Sequence, residues 1–449
     1  MTTRLRACAR LLGLLLCLHT CTTAAGVVQT LDGKTIRGAI RLEVGDGLVL
    51  TLRNKEPIRV PFTNLLRANF IATEETNPPP SNAHLPPANL DEHRGALPSP
   101  WKTADVGNPK RPGVAAHYHG SFTLEAHPAV KRIKGDTLYF VYRPWQGDGE
   151  FIARVASVEP RQAKEKLARA GLMLRASLEA DSPSVSMSLT GGAGSVFRRK
   201  SRKGERVIND PRPDLNPPYW VKLVREGGAI AGFQSTDGHQ WKLVGSSETD
   251  LPEKILLGLG VTGSRKAKCL ATLDHITLRP LQPRAAFIPR IVLRDGTVVA
   301  DHFSAISETE VLLSKEKQAR KLRTADVARL LFQPGFEVDT LTPGRAGVLM
   351  SNGDFIDGDF RGIEANWVKI SSVLLGQRRY ELNRKVAAVL LRDVTPQPAP
   401  LEVATLDGSL WRPGRLTCKR DTLILATPLV GEWRIASDEL LEIRRTTPR

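Results

Sequence analysis

Cysteine is scarce: the 449 residues hold five, Cys8, Cys17, Cys21, Cys269 and Cys418. Three crowd the N-terminus and two lie far apart, so a zinc site built on clustered thiolates is excluded by number and spacing. Cys269 and Cys418 are expected to be separate thiols, with a single disulfide between them as the alternative. No apolar run approaches the roughly 20 residues of a membrane-spanning helix, so no transmembrane segment is expected. No glycine-rich phosphate loop opens a helix, and no Gly-x-Ser-x-Gly turn is present. Those absences remove the common nucleotide-binding and α/β-hydrolase classes. Aromatic residues make up only 6% of the chain, so each tryptophan or tyrosine is a candidate contact. Acidic residues are outnumbered by basic ones, 47 to 64, giving a net charge of +17. The excess is spread along the chain. It favours acidic polymers as partners, and no specific nucleic-acid-reading motif accompanies it.

What is present begins with a leader pattern. Arg4, Arg6 and Arg10 precede the apolar run Leu11 to Leu18, and Thr23 and Ala25 stand three and one residues before Gly26. Residues 1–25 therefore read as a secretory signal peptide and predict an extracytoplasmic protein in periplasm, cell surface or medium. Cys21 raises lipidation as an alternative, although Thr20 sits where a lipobox carries a small residue.

A repeat dominates the remainder. The pairs Asp32-Gly33, Asp295-Gly296, Asn352-Gly353 and Asp407-Gly408 each mark a tight hairpin, read as a two-residue turn. Four residues before each pair stand Val28, Ile291, Val348 and Val403. Eight after its first residue stand Ile40, Phe303, Phe360 and Arg415. Sixteen after stand Leu48, Val311, Val368 and Leu423, and eighteen after stand Leu50, Leu313, Ile370 and Leu425. Fifteen of these sixteen are apolar, where composition alone would give about six or seven. Each copy then ends on Val60, Leu322, Leu382 or Ile435, followed by Leu65, Val327, Val386 or Leu440. The units occupy 26–72, 287–335, 345–394 and 401–449, with four or five short strands each. They resemble Sm-like or Src-homology-type small β-barrels; propeller blades are the alternative. Cores this small, unstapled by metal or disulfide, are expected to pack on one another in the C-terminal three. Residues 73–100, with Pro78-Pro79-Pro80 and Pro86-Pro87, read as an extended linker.

Between them, 101–279 shows many short strands punctuated by Gly147-Asp148-Gly149, Gly191-Gly192, Gly227-Gly228 and Asp237-Gly238. That density predicts a two-sheet β-sandwich. One helical-looking excursion, 161–169, interrupts it. Asp105-Val106-Gly107, Gly120-Ser121-Phe122-Thr123-Leu124, Gly147-Asp148-Gly149-Glu150, Gly171-Leu172-Met173-Leu174-Arg175, Tyr219-Trp220-Val221-Lys222 and Ser235 to Trp241 follow in order. In these the segment resembles the bacterial domain of unknown function labelled "regulation of enolase", in the concanavalin A-like lectin/glucanase superfamily. The resemblance implies a jelly-roll sandwich. The expected fold is thus all-β: a concanavalin A-like jelly-roll flanked by four small β-barrel repeats, one N-terminal and three C-terminal.

Chemistry is sparse. Retaining glycoside hydrolysis needs two carboxyl groups about 5 Å apart, and the Glu-x-Asp-x-x-Glu spacing of the superfamily's glucanases is missing from 101–279. No catalytic residues are assigned, and the chain is expected not to be an enzyme. His117, His119 and His127 supply no complete metal set, so no metal or cofactor is expected; Asp136 and Asp148 beside their glycines leave calcium as an alternative. A binding surface remains. Trp145 and Trp220 offer faces for sugar rings, and Arg154, Arg175 and Lys222 offer cations for carboxylate or sulfate. Arg154 and Arg175 sit among apolar neighbours, so each is either a buried arginine with a protein partner or a groove-lining one with a ligand. Trp241 is expected to staple its own hairpin, and the run Arg198 to Lys203 to be a solvated basic tip. The expected function is a secreted, non-catalytic binding or adhesion protein recognising a carbohydrate or anionic polymer. The alternatives are a structural cell-envelope assembly protein without a small ligand, and a glycan-active enzyme with an unrecognised site.

Overall fold

The computed structural model describes residues 26–446 apart from 53–54, 72–84, 131–134, 161–167, 193, 214, 265–266, 285, 304, 314–319, 337–340 and 342–343. The expected leader, residues 1–25, and most of the expected helical excursion lie outside the described residues. Strands account for nearly all regular structure, and the longest helix among the described residues is the four-residue Leu382–Lys385. The fold is all-β.

The central segment forms two seven-stranded antiparallel sheets. Sheet I runs, in spatial order, Lys242–Glu248, Ala229–Ser235, Tyr219–Glu226, Gly149–Glu159, Cys269–Pro280, Ser121–Ala126, Val114–Tyr118. Sheet II runs Ile208–Arg212, Ser195–Lys200, Ser184–Thr190, Arg169–Arg175, Lys254–Thr262, Leu138–Gln146, Lys102–Val106. The chain crosses repeatedly from one sheet to the other, which makes this a jelly-roll sandwich. Alternation along each strand decides what is inside. Phe151, Ala153 and Val155 of sheet I meet Leu172, Leu174, Val185, Met187 and Leu257 of sheet II in one core. The even-numbered residues between the first set point away from it.

Four segments outside the sandwich share one strand succession: Gly26–Asn69 (module 1), Arg290–Leu331 (module 2), Gly347–Leu390 (module 3) and Leu401–Arg445 (module 4). In each, the first strand pairs with both the second and the last. A short helical turn precedes the last strand. The first-strand apolar positions are all buried, with Val28, Ile291, Val348 and Val403 at 0% exposure.

Pairing corrects three sequence readings. Each Asp-Gly or Asn-Gly is not the centre of a two-residue turn. The glycine amide bonds the carbonyl three residues back (Gly33 to Thr30, Gly296 to Leu293, Gly353 to Met350, Gly408 to Thr405). Only the glycines have positive φ, between +81° and +91°. The hairpin is a three-residue loop closed by a glycine bulge, which needs one left-handed residue, not two. Next, the polar misfit Arg415 is a register offset: Leu416 opposes Leu425 as Ile40 opposes Leu50 and Phe360 opposes Ile370. Finally, the partner of Val368 is Tyr380, in the place Val60 holds opposite Leu48, so Leu382 lies beyond the closing strand, in the helix that follows it. Module 3 fits a four-residue α-helix where the others use three 3₁₀ residues.

The modules are joined edge to edge. Leu65–Asn69 pairs with Leu440–Arg445, Val327–Leu331 with Val386–Leu390, and Val298 with Leu410. One 14-stranded sheet therefore links modules 3, 2, 4 and 1 in that order, and module 1 joins a group expected from the C-terminal three alone. The described part of the expected linker is not a free spacer either: Gly95 donates to the Ala115 carbonyl, Arg94 bridges Ala116, and Leu97 packs on the sandwich core.

Candidate functional site

The five residues singled out from sequence do not converge. Trp220 and Lys222 share the outer face of sheet I, as strand alternation requires, and Trp220 lies opposite Arg154. Trp220 is nonetheless 1% exposed, packed beside Gly238 and His275. Arg154 is 3% exposed and holds the fully buried Asp274 through two hydrogen bonds of 2.8 and 2.7 Å. Lys222 is sandwiched between Phe233 and Trp241, 4.9 and 4.6 Å from their ring centres. Trp241 thus reaches over Lys222, while Asp237 organises the hairpin by accepting from the His239 and Gln240 amides. Trp145 turns toward the core, edge-on to Phe151 at 5.0 Å. Arg175 is on sheet II with no exposure, spending its guanidinium on Asp136 and the carbonyls of Ser177 and Glu179. Arg154, Arg175 and Trp220 are therefore structural.

Sheet I loses its outer face because modules 2 and 3 sit on it. Val224, Ala231 and Phe233 share an apolar cluster with Leu331, Leu349 and Ala388, and Phe336 meets Phe233 edge-on at 5.6 Å. Glu226 binds both Arg284 and Arg290 across this junction. A cavity of about 320 Å³ survives there, lined by Glu150, Lys222, Glu226, Arg279, Arg290 and Phe336 among others. Its charges are already matched: Arg279 meets Glu150 at 3.0 Å, and Lys222 lies 3.9 Å from the same carboxylate.

The outer face of sheet II is different. Its cross-strand register lays out rows. One reads Ala104, Phe140, Gly260, Gly171, Ser188, Val196, and the next Lys102, Tyr142, Gly258, Met173, Ser186, Arg198. A third places Leu256, Arg175, Ser184 and Lys200 side by side. Half of this face is apolar: Phe140 and Met173 are buried with Leu138 and Val106, and Tyr142 stacks on Phe140 at 5.4 Å with planes 17° apart. A cross-strand pair of glycines, Gly171 and Gly260, adjoins it. The other half is a ladder of hydroxyls, Ser184, Ser186 and Ser188. Among the described residues none makes a hydrogen bond to these hydroxyls, although the three residues are only 5%, 2% and 4% exposed. Sequence alone missed this ladder; the signal was the alternating Ser184-Val185-Ser186-Met187-Ser188.

Charge at the edge of this face is paired. Burial alone would raise the Asp136 carboxyl, but Arg198 and Arg175 outweigh it and hold the group below its usual range. The basic run proves to be strand and turn whose cations meet acids: Arg198 with Asp136, Arg199 with Asp210, Lys200 with Asp181, Arg202 with Asp250, Lys203 with Glu179. Arg202 and Lys203 form the solvated tip, with side chains 69% and 67% exposed, while Arg198 to Lys200 belong to the strand. Asp148, one of the carboxylates considered for calcium, accepts from the Gly227 and Arg284 amides. The rows of sheet II carry no carboxylate among the described residues.

No protein-family model matches the chain, and no curated protein matches it. Among solved structures it is similar over part of its length to a functionally unknown protein from Saccharomyces cerevisiae, with 15% identity, 40% of this chain and 97% of that one covered and a TM-score of 0.32. The carbohydrate binding module CBM66 from Bacillus subtilis gives 15% identity over 40% and 95% of the two chains, with a TM-score of 0.28. A β-glucanase from Bacillus licheniformis gives 12% identity over 46% and 99%, with a TM-score of 0.27.

Proposed function

We propose that this chain is an exported, non-catalytic carbohydrate-binding protein that holds a neutral glycan across the outer face of sheet II. The observation that carries the reading is the strip of unbonded hydroxyls at Ser184, Ser186 and Ser188 on the same face as Tyr142, a part-exposed ring that stacks on the buried Phe140. A sugar ring has the same division, with a C–H face that packs on aromatic and apolar surface and hydroxyls around its edge. The serine hydroxyl oxygens are not among the buried side-chain atoms left without a partner, so water can complete them and a glycan's hydroxyls can take its place. Arg198, Arg199 and Lys200 are matched by mostly buried carboxylates, which favours a neutral glycan over an acidic one on this face. In this reading the sandwich belongs to the concanavalin A-like superfamily, and the four modules are copies of one small β-barrel serving as a rigid base. Hydrolysis would need a second carboxyl at about 5 Å from the first, and the rows supply none.

The test uses the whole chain, because the modules pack on the sandwich. On a glycan array the parent binds at least one neutral polysaccharide. Tyr142→Ala and Ser186→Leu each weaken that binding tenfold or more while circular dichroism shows the chain still folded at the assay temperature. Absence of binding to every arrayed glycan, or full binding by both variants, overturns the reading.

A further inference from the structure

Module 3 carries a feature that glycan binding does not use. The hairpin joining Trp367–Ser372 to Gly376–Glu381 has three consecutive apolar residues at its apex, Val373, Leu374 and Leu375. Val373 and Leu374 are 102% and 92% exposed, and Leu375 is 44% exposed. Module 4 provides an internal control. Its hairpin closes in the same register, Thr427 opposite Gly431 as Ser372 is opposite Gly376, and its apex is also apolar, Pro428-Leu429-Val430. There Leu429 and Val430 fold back onto the core, and the Thr427 hydroxyl accepts from the Val430 amide. An apolar apex in this module type can therefore be covered by its own fold, and in module 3 it is not.

The surroundings of the apex are basic. Arg378 and Arg379 on the return strand are exposed, and among the described residues neither meets a carboxylate. Arg378 donates to the Gln377 carbonyl at 3.1 Å, and Arg379 lies over Trp367 at 5.0 Å. Neighbouring cations are already paired, Lys369 with Glu364 and Arg361 with Glu308.

We propose that this hairpin is a wedge that docks on an anionic lipid bilayer, with Val373, Leu374 and Leu375 entering the interface and Arg378 and Arg379 meeting lipid phosphates. Exposed apolar side chains rimmed by cations are the composition that binds an anionic membrane surface. A three-residue apex is too small to supply the roughly 800 Å² per partner of a stable protein interface. A bilayer needs no complementary pocket to receive it. Each cation brought to an anionic surface strengthens such binding roughly fivefold, and each apolar side chain fully buried about tenfold or more.

Co-sedimentation of the full chain with phosphatidylglycerol/phosphatidylcholine vesicles, against pure phosphatidylcholine vesicles, tests this. The parent pellets with the anionic vesicles and much less with the neutral ones. V373D/L374D lowers the partition coefficient tenfold or more, and R378E/R379E lowers it on anionic vesicles alone, with loss of the difference at high salt. The thermal midpoint of both variants stays at the parent value, since neither pair is in the core. Failure of the parent to pellet, or equal pelleting by V373D/L374D, overturns the proposal. So does a parent dimer in sedimentation velocity that V373D/L374D converts to monomer, which would assign the apex to a second copy. Glycan binding is unaffected by either variant, so this test and that of the sandwich face fail separately.

Discussion

Replacing Asp274 by alanine leaves Arg154 as a cation at 3% exposure whose bidentate acceptor is gone. His275 loses its 2.9 Å contact to the same carboxylate. Breaking one side of a buried ion pair costs about 3–5 kcal/mol, because the remaining charge loses its counter-charge. Against a total stability of about 5–15 kcal/mol for a folded domain, that is a large loss. Replacing both partners by apolar residues of similar volume removes the orphaned charge, and such pairs are neutral to stabilising by about 1–4 kcal/mol. The expected order is therefore Asp274→Ala far below the parent and Arg154→Met/Asp274→Leu close to it. Urea unfolding followed by tryptophan fluorescence measures this, with Trp220 a local reporter whose ring centre is 5.8 Å from the Arg154 guanidinium carbon. An Asp274→Ala loss under about 1 kcal/mol, well short of the buried-pair range, would refute the assignment of Arg154 as a structural residue. So would an Arg154→Met variant that keeps its stability and loses glycan binding.

Asp136 has a folded-state pKa held below its unfolded value of 3.8, so its contribution to stability is complete above about pH 4 and disappears as pH falls through the lower value. Thermal midpoints between pH 2 and 6 should show this acid limb in the parent and a flatter profile, from a lower plateau, in Asp136→Asn. The Cys418 thiol, pushed up to about 11 by burial, is expected to resist iodoacetamide at pH 8 until the chain is unfolded; rapid native labelling of Cys418, followed by mass spectrometry, contradicts this. Gly33 has φ +83° and open space on its side-chain face, so Gly33→Ala isolates backbone strain. The expected cost is about 1–2 kcal/mol in urea unfolding, and a neutral effect would contradict the glycine-bulge turn.

The strand periodicity of the modules and sandwich was legible in the sequence because burial alternates over two residues, a purely local property. The repeat spacing alone assigns Val28, Leu48, Leu50 and Val60 to a core, and all four are in it. The turn glycines were legible for the same reason, although the type of turn was not, since it depends on which carbonyl each amide meets. Partners distant along the chain were not legible. Arg154 needed Asp274, 120 residues away, to become structural, and Lys222 was buried by modules whose docking no local pattern announces.

The sequence by itself determined the strands, the repeated turn and the inward face of each sheet, because these follow from side-chain alternation and glycine's access to positive φ. Only the tertiary structure decided which outward face remained for a ligand. Modules 2 and 3 bury the outer face of sheet I, and register across four strands assembles the serine ladder with Phe140 and Tyr142 on sheet II. Both outcomes depend on contacts between residues far apart in sequence, whose free energies local composition does not encode.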